Sequence, residues 1–187
     1  TISGTSSHLP EGTALTVTLN GKTYAAKVGA DGKWNVAISA ADAKALGDGA
    51  WTISVSGKDA TGNTVTGSQV LQVDTHAPIV SVDPVTKDNI VNAAEHGADL
   101  IVTGKTTAEP GQKVTVTLNG KNYTATVGTD GNWSVTVGAA DVKNLADGNQ
   151  NISVSISDKA GNAGSAKADF TVDTAVPAVT VDKVTGD

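Results

Sequence analysis

The 187-residue chain contains no cysteine, which excludes disulfides and cysteine-ligated zinc. Its net charge of -6 and the lack of a basic cluster argue against a nucleic-acid partner, and an acidic chain suits divalent cations. Without a long apolar run, we expect no membrane insertion. Aromatic residues make up only 3%, which predicts thin cores of Val, Ile, Leu and Ala.

Two matching stretches, Leu15–Trp34 and Val114–Trp133, alternate apolar and polar residues and turn first at Asn-Gly and then at Asp-Gly. Period-two alternation predicts strands with one buried face. Asn-Gly between two such runs predicts a type I′ hairpin, because both residues tolerate positive φ. The chain is therefore expected to carry one β unit twice.

A shift of 99 residues aligns the chain with itself, and 34 of the 67 positions from Gly12 to Pro78 then carry the same residue. A period of about 100 residues predicts tandem domains rather than solenoid turns. The register divides the chain into 1–75, a domain that lacks its first strand; 76–174, a complete domain; and 175–187, the first strand of a following repeat. We therefore expect the chain to be a piece of a longer array.

Within the complete domain, seven short strands with regular turns predict a two-sheet sandwich. One helix-like segment, Ala139–Ala146, ends at Asp147-Gly148. The predicted strands are Ile79–Val85, Leu100–Gly104, Lys113–Leu118, Asn122–Val127, Trp133–Val137, Gln150–Ser157 and Ser165–Val172. The predicted core residues are Val114, Val116, Leu118, Tyr123, Ala125, Val127, Trp133, Val135, Val137, Ile152, Val154 and Ile156.

Several short motifs recur in a fixed order. V-D-T-x-x-P occurs at Val73–Pro78 and Val172–Pro177, D-N-x-x-N-A-A-E occurs at Asp88–Glu95, and N-G-K, D-G-x-W and D-x-x-G-N complete the pattern. Together they resemble the bacterial immunoglobulin-like tandem repeats of giant secreted adhesins and biofilm-associated proteins, over essentially the whole chain. The resemblance implies an all-β fold of tandem Greek-key immunoglobulin-like β-sandwiches, about seven strands each. It also implies export from a Gram-negative cell to an extracellular or cell-surface location, and calcium at domain junctions.

Calcium is the one cofactor with candidate ligands in the sequence, because Ca²⁺ takes about 6–8 oxygen ligands from carboxylates, amides and carbonyls. Alternating the seven strands places the turn Asp158–Asn162 near the linker residue Asp74, and the loop Pro84–Ala98 near Asp173. The competing interpretation is that Asp and Asn in turns bond their own backbone. We prefer that interpretation for Asp31, Asp48, Asp130 and Asp147. The predicted calcium ligands are Asp59, Asp74, Asp88, Asn89, Asn92, Glu95, Asp158 and Asp173.

No paired acid, nucleophile or cofactor loop is recognisable, so we expect no enzyme. His8, His76 and His96 have no metal-ligand spacing and are expected on the surface. Trp51 has no counterpart, since Gln150 occupies the equivalent place. It could offer a platform for a sugar, but it is in phase with strand residues, which favours a partly buried position.

We therefore predict non-catalytic spacer repeats of a large bacterial surface adhesin or biofilm protein. Their partners would be neighbouring repeats of the same chain, and other domains would bind a host or biofilm surface. The alternative is an accessory carbohydrate-binding module of a secreted polysaccharide-active enzyme, and homophilic adhesion through the domain faces is a third candidate. Because Val176–Val184 repeats the first strand of the complete domain, we also predict head-to-tail strand exchange between copies.

Overall fold

The computed structural model describes residues 1–183, which form two compact units, Thr1–Thr75 and a second that begins at His76. Each unit consists of two β-sheets around an apolar core, which confirms the predicted all-β immunoglobulin-like class. No helix within residues 1–183 has the length and apolar character needed to cross a membrane.

The first unit has six strands among its described residues. A two-stranded sheet pairs β1 with β4, and a four-stranded sheet has the order β3-β2-β5-β6. All pairings are antiparallel. The elements are β1 (Ile2–Thr5), β2 (Ala14–Leu19), β3 (Lys22–Lys27), β4 (Lys33–Val36), α1 (Ala40–Lys44), β5 (Gly49–Lys58) and β6 (Thr64–Val73).

The second unit has eight strands among residues 76–183. A three-stranded sheet has the order β12-β9-β7, and a five-stranded sheet has the order β11-β10-β13-β14-β8. The elements are β7 (Val80–Val82), β8 (Ile90–Asn92), a 3-10 turn at Glu95–Gly97, β9 (Leu100–Thr106), β10 (Lys113–Leu118), β11 (Lys121–Thr126), β12 (Asn132–Val137), α2 (Ala139–Val142), β13 (Gly148–Ser157) and β14 (Ala163–Asp173).

The Asn-Gly hairpins form as predicted. Asn20 and Gly21 have φ of 49° and 71°, and Asn119 and Gly120 have φ of 49° and 74°. Positive φ at both central residues is the type I′ geometry, whose twist matches that of the flanking strands. The turns therefore set the register in which alternate residues of β2 and β10 face inward.

The predicted core of the second unit is also confirmed. Val114, Val116 and Ile152 are fully buried, and Trp133 is 2% exposed. Tyr123 and Ala125, on the edge strand β11, are only partly buried against this core. The apolar face of each strand thus packs inward, as period-two alternation requires.

One strand was not predicted. The segment treated as a long loop, Pro84–Ala98, contains β8, which runs parallel to the end of β14. Val91 is fully buried there, whereas the flanking Ile90 and Asn92 are exposed. Three residues with one buried side chain carry too little periodicity to show a strand, and its partner lies about 80 residues away.

A polar network fastens the short helix α2 to the hairpin strand β11. Lys121 Nζ lies 2.6 Å from Asp141 Oδ2, and the Tyr123 hydroxyl donates to the same oxygen at 2.9 Å. The hydrogen bond from Lys121 and that from Tyr123 lower the pKa of Asp141. Burial and the hydrogen bond to Asp141 raise the pKa of Tyr123 to about 12. In the first unit, Lys22 and Asp42 form the equivalent ion pair.

This network predicts a pH-dependent cost for Tyr123→Phe. At pH 7 the substitution should lower the free energy of unfolding by about 1 kcal/mol, since it removes one hydrogen bond to a carboxylate. A carboxylate with a depressed folded-state pKa stabilises the fold above its unfolded value of about 3.9, and that stabilisation disappears as pH falls through the folded pKa. The Tyr123→Phe difference should therefore shrink below about pH 4. Urea denaturation at pH 7 and below about pH 4, followed by signals of the second unit, measures the difference between the variant and the parent protein. A difference that does not change with pH would contradict the hydrogen bond from Tyr123 to the Asp141 carboxylate.

Candidate calcium-binding residues

The pairing of β8 with β14 brings two predicted calcium-binding segments together. Asn92 is the register partner of Asp173, so the Asp88–Glu95 segment runs beside the last residue of β14. Both residues are exposed. This end of the second unit therefore concentrates carboxylate and amide oxygens, the ligand types that Ca²⁺ prefers.

Several of these oxygens also organise their own loop. The Asn92 side chain accepts the amide hydrogens of Ala94 and Glu95 at 3.0 and 3.1 Å, while Glu95 Oε2 accepts the Asn92 amide hydrogen at 3.1 Å. This reciprocal pair of hydrogen bonds is the arrangement of a capping box, and it lies at the start of the 3-10 turn Glu95–Gly97. A cation that took both side chains would have to compete with these bonds.

Asp88 and Asn89 shape the start of the same segment. Asp88 Oδ1 accepts from the Ile90 amide at 3.1 Å and the Thr86 hydroxyl at 3.0 Å, and these bonds lower its pKa. Asn89 adopts φ 62° and donates from Nδ2 to the Asp169 carbonyl at 2.7 Å. Asn89 thus holds the loop against β14, and the fold already uses its side chain.

The predicted ligands Asp59 and Asp158 lie in equivalent turns at the other end of their strands. Asp59 accepts from the hydroxyl and amide of Thr61 and from the amide and side chain of Asn63, and these bonds lower its pKa to about 2. Asp158 is 8% exposed and accepts from the Asn162 amide and side chain at 2.8 and 2.9 Å. Both carboxylates are engaged by their own turns, as the competing interpretation describes.

The structure adds Asp48 to the candidates. Its Oδ1 accepts the amide and hydroxyl hydrogens of Thr75, both at 2.9 Å, so it bonds a residue 27 positions away rather than only its own turn. Its carboxylate also lies within 4.8 Å of that of Asp74, and both are exposed. Asp147 repeats the bond to Thr174 in the second unit, at 3.0 and 2.8 Å. Sequence reasoning missed this pairing because the contact is tertiary.

Asp31 and Asp130, in contrast, fit the turn role. Asp31 Oδ1 accepts from the Lys33 amide, and Asp130 Oδ1 from the Asn132 amide.

Within residues 76–183, no three acidic or histidine side chains bring their ligand atoms within 4.8 Å of one another. A calcium ion bound by the second unit would therefore need amide or backbone oxygens beside Asp147 and Asp173, which its coordination chemistry allows.

Trp51 and His96 have structural partners. The Trp51 indole N–H donates to the Gly47 carbonyl at 2.7 Å, and Gln150 makes the matching bond to Ala146 at 2.8 Å. Trp51 therefore makes the same backbone bond that an amide side chain makes at the equivalent position, and it is partly buried. The hypothesis that Trp51 forms a platform for a sugar thus loses its main residue. His96 Nε2 lies 3.0 Å from the Leu145 carbonyl oxygen.

Comparisons with known proteins agree with this architecture. Residues 5–75 and 85–174 match the family model of the bacterial Ig-like domain. A solved structure of a Ca²⁺-stabilized adhesin that helps an Antarctic bacterium reach out and bind ice is 36% identical, with a TM-score of 0.54; the match covers 95% of this chain and 45% of that one. A second, from a 1.5-MDa bacterial ice-binding adhesin, is 33% identical, with a TM-score of 0.52, over 92% of this chain and 57% of that one.

The chain thus spans about half the length of these two structures. No curated protein sequence matches it. The matches confirm the resemblance inferred from the motifs. The chain belongs to the bacterial Ig-like domain family.

Proposed function

We propose that the two units are non-catalytic spacer repeats of a large bacterial surface adhesin. The observation that carries this proposal is the repetition of one Ig-like unit, together with 36% identity over 95% of the chain to an adhesin. Such units act by length and stiffness, so they need a packed sandwich and defined ends rather than a reactive site. Their partners are neighbouring repeats, and their location is extracellular, on the cell surface or in a biofilm.

Calcium is the proposed cofactor. Two features support it: the similar adhesin is Ca²⁺-stabilized, and Asp48 and Asp74 bring exposed carboxylates within 4.8 Å of each other. Two nearby carboxylates repel each other, and a divalent cation removes that repulsion while it supplies several coordination bonds. We place the second site at Asp147 and Asp173, where the side chains of Asn92 and Glu95 offer further oxygen ligands. Asp59 and Asp158 are weaker candidates, because their turns already engage them.

Calcium should therefore stabilise the protein. A ligand that binds only the folded state stabilises it by about 2.7 kcal/mol at a hundredfold excess over its dissociation constant. We expect the melting temperature to rise with Ca²⁺ and to return with a chelator, as followed by calorimetry. Identical melts in both conditions would contradict calcium binding.

A matched pair of variants locates the site. Asp48→Asn with Asp74→Asn should remove the calcium response of the first unit. Asp31→Asn with Asp130→Asn changes the net charge equally but alters only turn carboxylates, so it should leave the response intact. If both pairs lose it equally, bulk charge rather than a site is responsible.

The spacer role also predicts that calcium reduces independent motion of the two units. In calcium the two units should tumble with one rotational correlation time, and with chelator they should tumble independently, as measured by ¹⁵N relaxation. Independent tumbling in saturating calcium would exclude calcium stiffening even if the melting temperature rises.

A further inference from the structure

Each unit carries the same seven residues at its Asn-Gly hairpin. Thr16–Lys22 and Thr115–Lys121 both read T-V-T-L-N-G-K. Both copies lie within the described residues, whereas Val184, the end of the predicted strand Val176–Val184, lies outside them. Because the two heptapeptides are identical, the intrinsic reactivity of the two Asn-Gly pairs is the same, and their surroundings in the fold decide any difference.

Asn-Gly is a chemically labile pair, because glycine has no side chain to shield its own amide nitrogen. Once that nitrogen has lost its proton to base, it can bond to the side-chain carbonyl carbon of the asparagine. The Cγ–Nδ2 bond then breaks and ammonia leaves, which closes a five-membered succinimide ring. Water opens the ring at either of its two carbonyl carbons and yields aspartate or isoaspartate.

The type I′ turn holds the reacting atoms in the wrong arrangement. Asn20 and Asn119 both have φ of 49°, and type I′ geometry sets ψ of this residue at about 30°. The succinimide ring requires instead that the glycine nitrogen eclipses the asparagine Cβ. The peptide between the two residues must therefore rotate, which opens the turn, before the reaction can occur. The rate of the modification thus measures how often each turn opens.

Two side-chain hydrogen bonds close the turn of the second unit. Thr117 and Asn122 are register partners, and the Thr117 hydroxyl donates to Asn122 Oδ1 at 2.8 Å across the hairpin. Asn119 Nδ2, on the reacting side chain itself, donates to the Asn144 carbonyl oxygen at 3.3 Å. Opening of this turn must therefore disturb both bonds.

The first unit makes neither bond. Thr23 stands where the second unit has Asn122, so Thr18 and Thr23 are the register partners. Within residues 1–183, no side-chain hydrogen bond joins these two threonines, and the Asn20 side chain bonds no other group. Asn20 and Gly21 are both exposed, so water and base reach the turn.

The ion pair beside each turn does not distinguish the two hairpins. Lys22 pairs with Asp42 in the first unit, and Lys121 pairs with Asp141 in the second. The contrast therefore lies in the cross-strand bond and in the bond from the asparagine side chain.

We propose that Asn20 is a site of spontaneous deamidation in the folded protein, and that the hairpin of the second unit protects Asn119 in the same heptapeptide. The modification needs water and base but no enzyme, and it does not depend on the spacer role. The two additional hydrogen bonds should make the second turn open at least about fivefold less often than the first.

The product alters the hairpin of the first unit. Isoaspartate adds a methylene to the main chain, and a two-residue type I′ loop has no place for it between Leu19 and Lys22, which are register partners. Aspartate keeps the main chain and adds a negative charge at an exposed turn. The isoaspartate form therefore loosens the pairing of β2 with β3.

Peptide mapping by mass spectrometry tests the proposal on the whole chain, incubated in mildly alkaline buffer. Cleavage after lysine gives the peptides Thr1–Lys22 and Val114–Lys121, which differ in mass, and the exchange of an amide for a carboxyl raises the mass of each. We expect Asn20 to react at least about fivefold faster than Asn119. Equal rates, or an Asn20 that does not react, would overturn the proposal.

The same incubation in urea separates the fold from the chemistry of the peptide. Both hairpins are then unfolded, and the identical heptapeptides should react at equal rates. If the difference between Asn20 and Asn119 persisted unchanged in urea, the hairpins would not be its cause and the proposal would be wrong.

A reciprocal exchange of residues locates the protection. Asn122→Thr removes the acceptor of the Thr117 hydroxyl and should speed deamidation of Asn119 about twofold or more, while Thr23→Asn offers Thr18 an acceptor and should slow Asn20 by a similar factor. Both positions are exposed on edge strands, and each exchange introduces the residue that the other unit carries, so the fold is retained.

Thr124→Ser is the matched control. Thr124 is an exposed residue of the same edge strand β11, farther from the turn than Asn122, so this substitution should leave both rates unchanged. If neither exchange changed the rate at its own turn, or if Thr124→Ser changed the rates as much as the exchanges do, protection by the hairpin would be refuted.

Discussion

Replacement of Gly104 by alanine should destabilise the second unit by about 3 kcal/mol or more. A methyl group at this position would overlap the carbonyl oxygen of Ser81 in β7 and the ring of Trp133. The first neighbour is backbone and the second is a packed core ring, so neither can move cheaply. We expect β7 to detach from β9 and the core beneath it to be exposed.

Gly138→Ala is the matched control. An added Cβ there has no neighbour within 4 Å, and φ is -65°, which any residue adopts. Its effect should stay below about 1 kcal/mol, the cost of the poorer cap that alanine provides where Gly138 precedes α2. Urea denaturation followed by signals resolved for the second unit compares the two variants. If Gly104→Ala lowered the free energy of unfolding no more than Gly138→Ala does, the close contact between β7 and Gly104 would be contradicted.

Equivalent core substitutions in the two units should have unequal costs. Ile152→Ala should lower the free energy of unfolding of the second unit by about 2–5 kcal/mol, the usual cost for a buried isoleucine. Ile53→Ala, at the matching position of the first unit, should cost clearly less, because Ile53 is only partly buried while Ile152 is fully buried. The chemistry of the two substitutions is identical, so the difference between their costs reports the difference in burial between the two positions.

Denaturation curves of each unit, measured by residue-specific signals at low concentration, give both values. Equal costs for Ile53→Ala and Ile152→Ala would contradict the difference in burial between these two positions.

The features predicted well from the sequence are those set by local chemistry. Asn119-Gly120 determines a hairpin because two adjacent residues must adopt positive φ, and alternation in β10 then sets which side chains are buried. β8 was missed because its stability comes from pairing with β14 and from the single buried residue Val91. A strand that depends on a distant partner leaves little trace in its own three residues.

The same distinction applies to the candidate calcium ligands. Composition and turn motifs identify acidic and amide residues, and the β8 pairing places Asn92 beside Asp173. The sequence does not reveal which oxygens the loops already engage, as at Asp59 and Asp158. Nor does it reveal that Asp48 bonds Thr75 across 27 positions. Such assignments depend on tertiary distances that no local motif encodes.

The parallel pairing of β8 with β14 also determines how the second unit resists force. Tension that reaches β8 from the start of the unit, beyond β7, and β14 from the end of the unit acts as shear along the ladder, because the two strands are parallel. The rungs between Ile90–Asn92 and Thr171–Asp173 are then loaded together, and Asn89 adds a side-chain bond to Asp169 at the same edge. Shear loads these bonds at once rather than in succession, so we expect this short strand to act as a mechanical clamp.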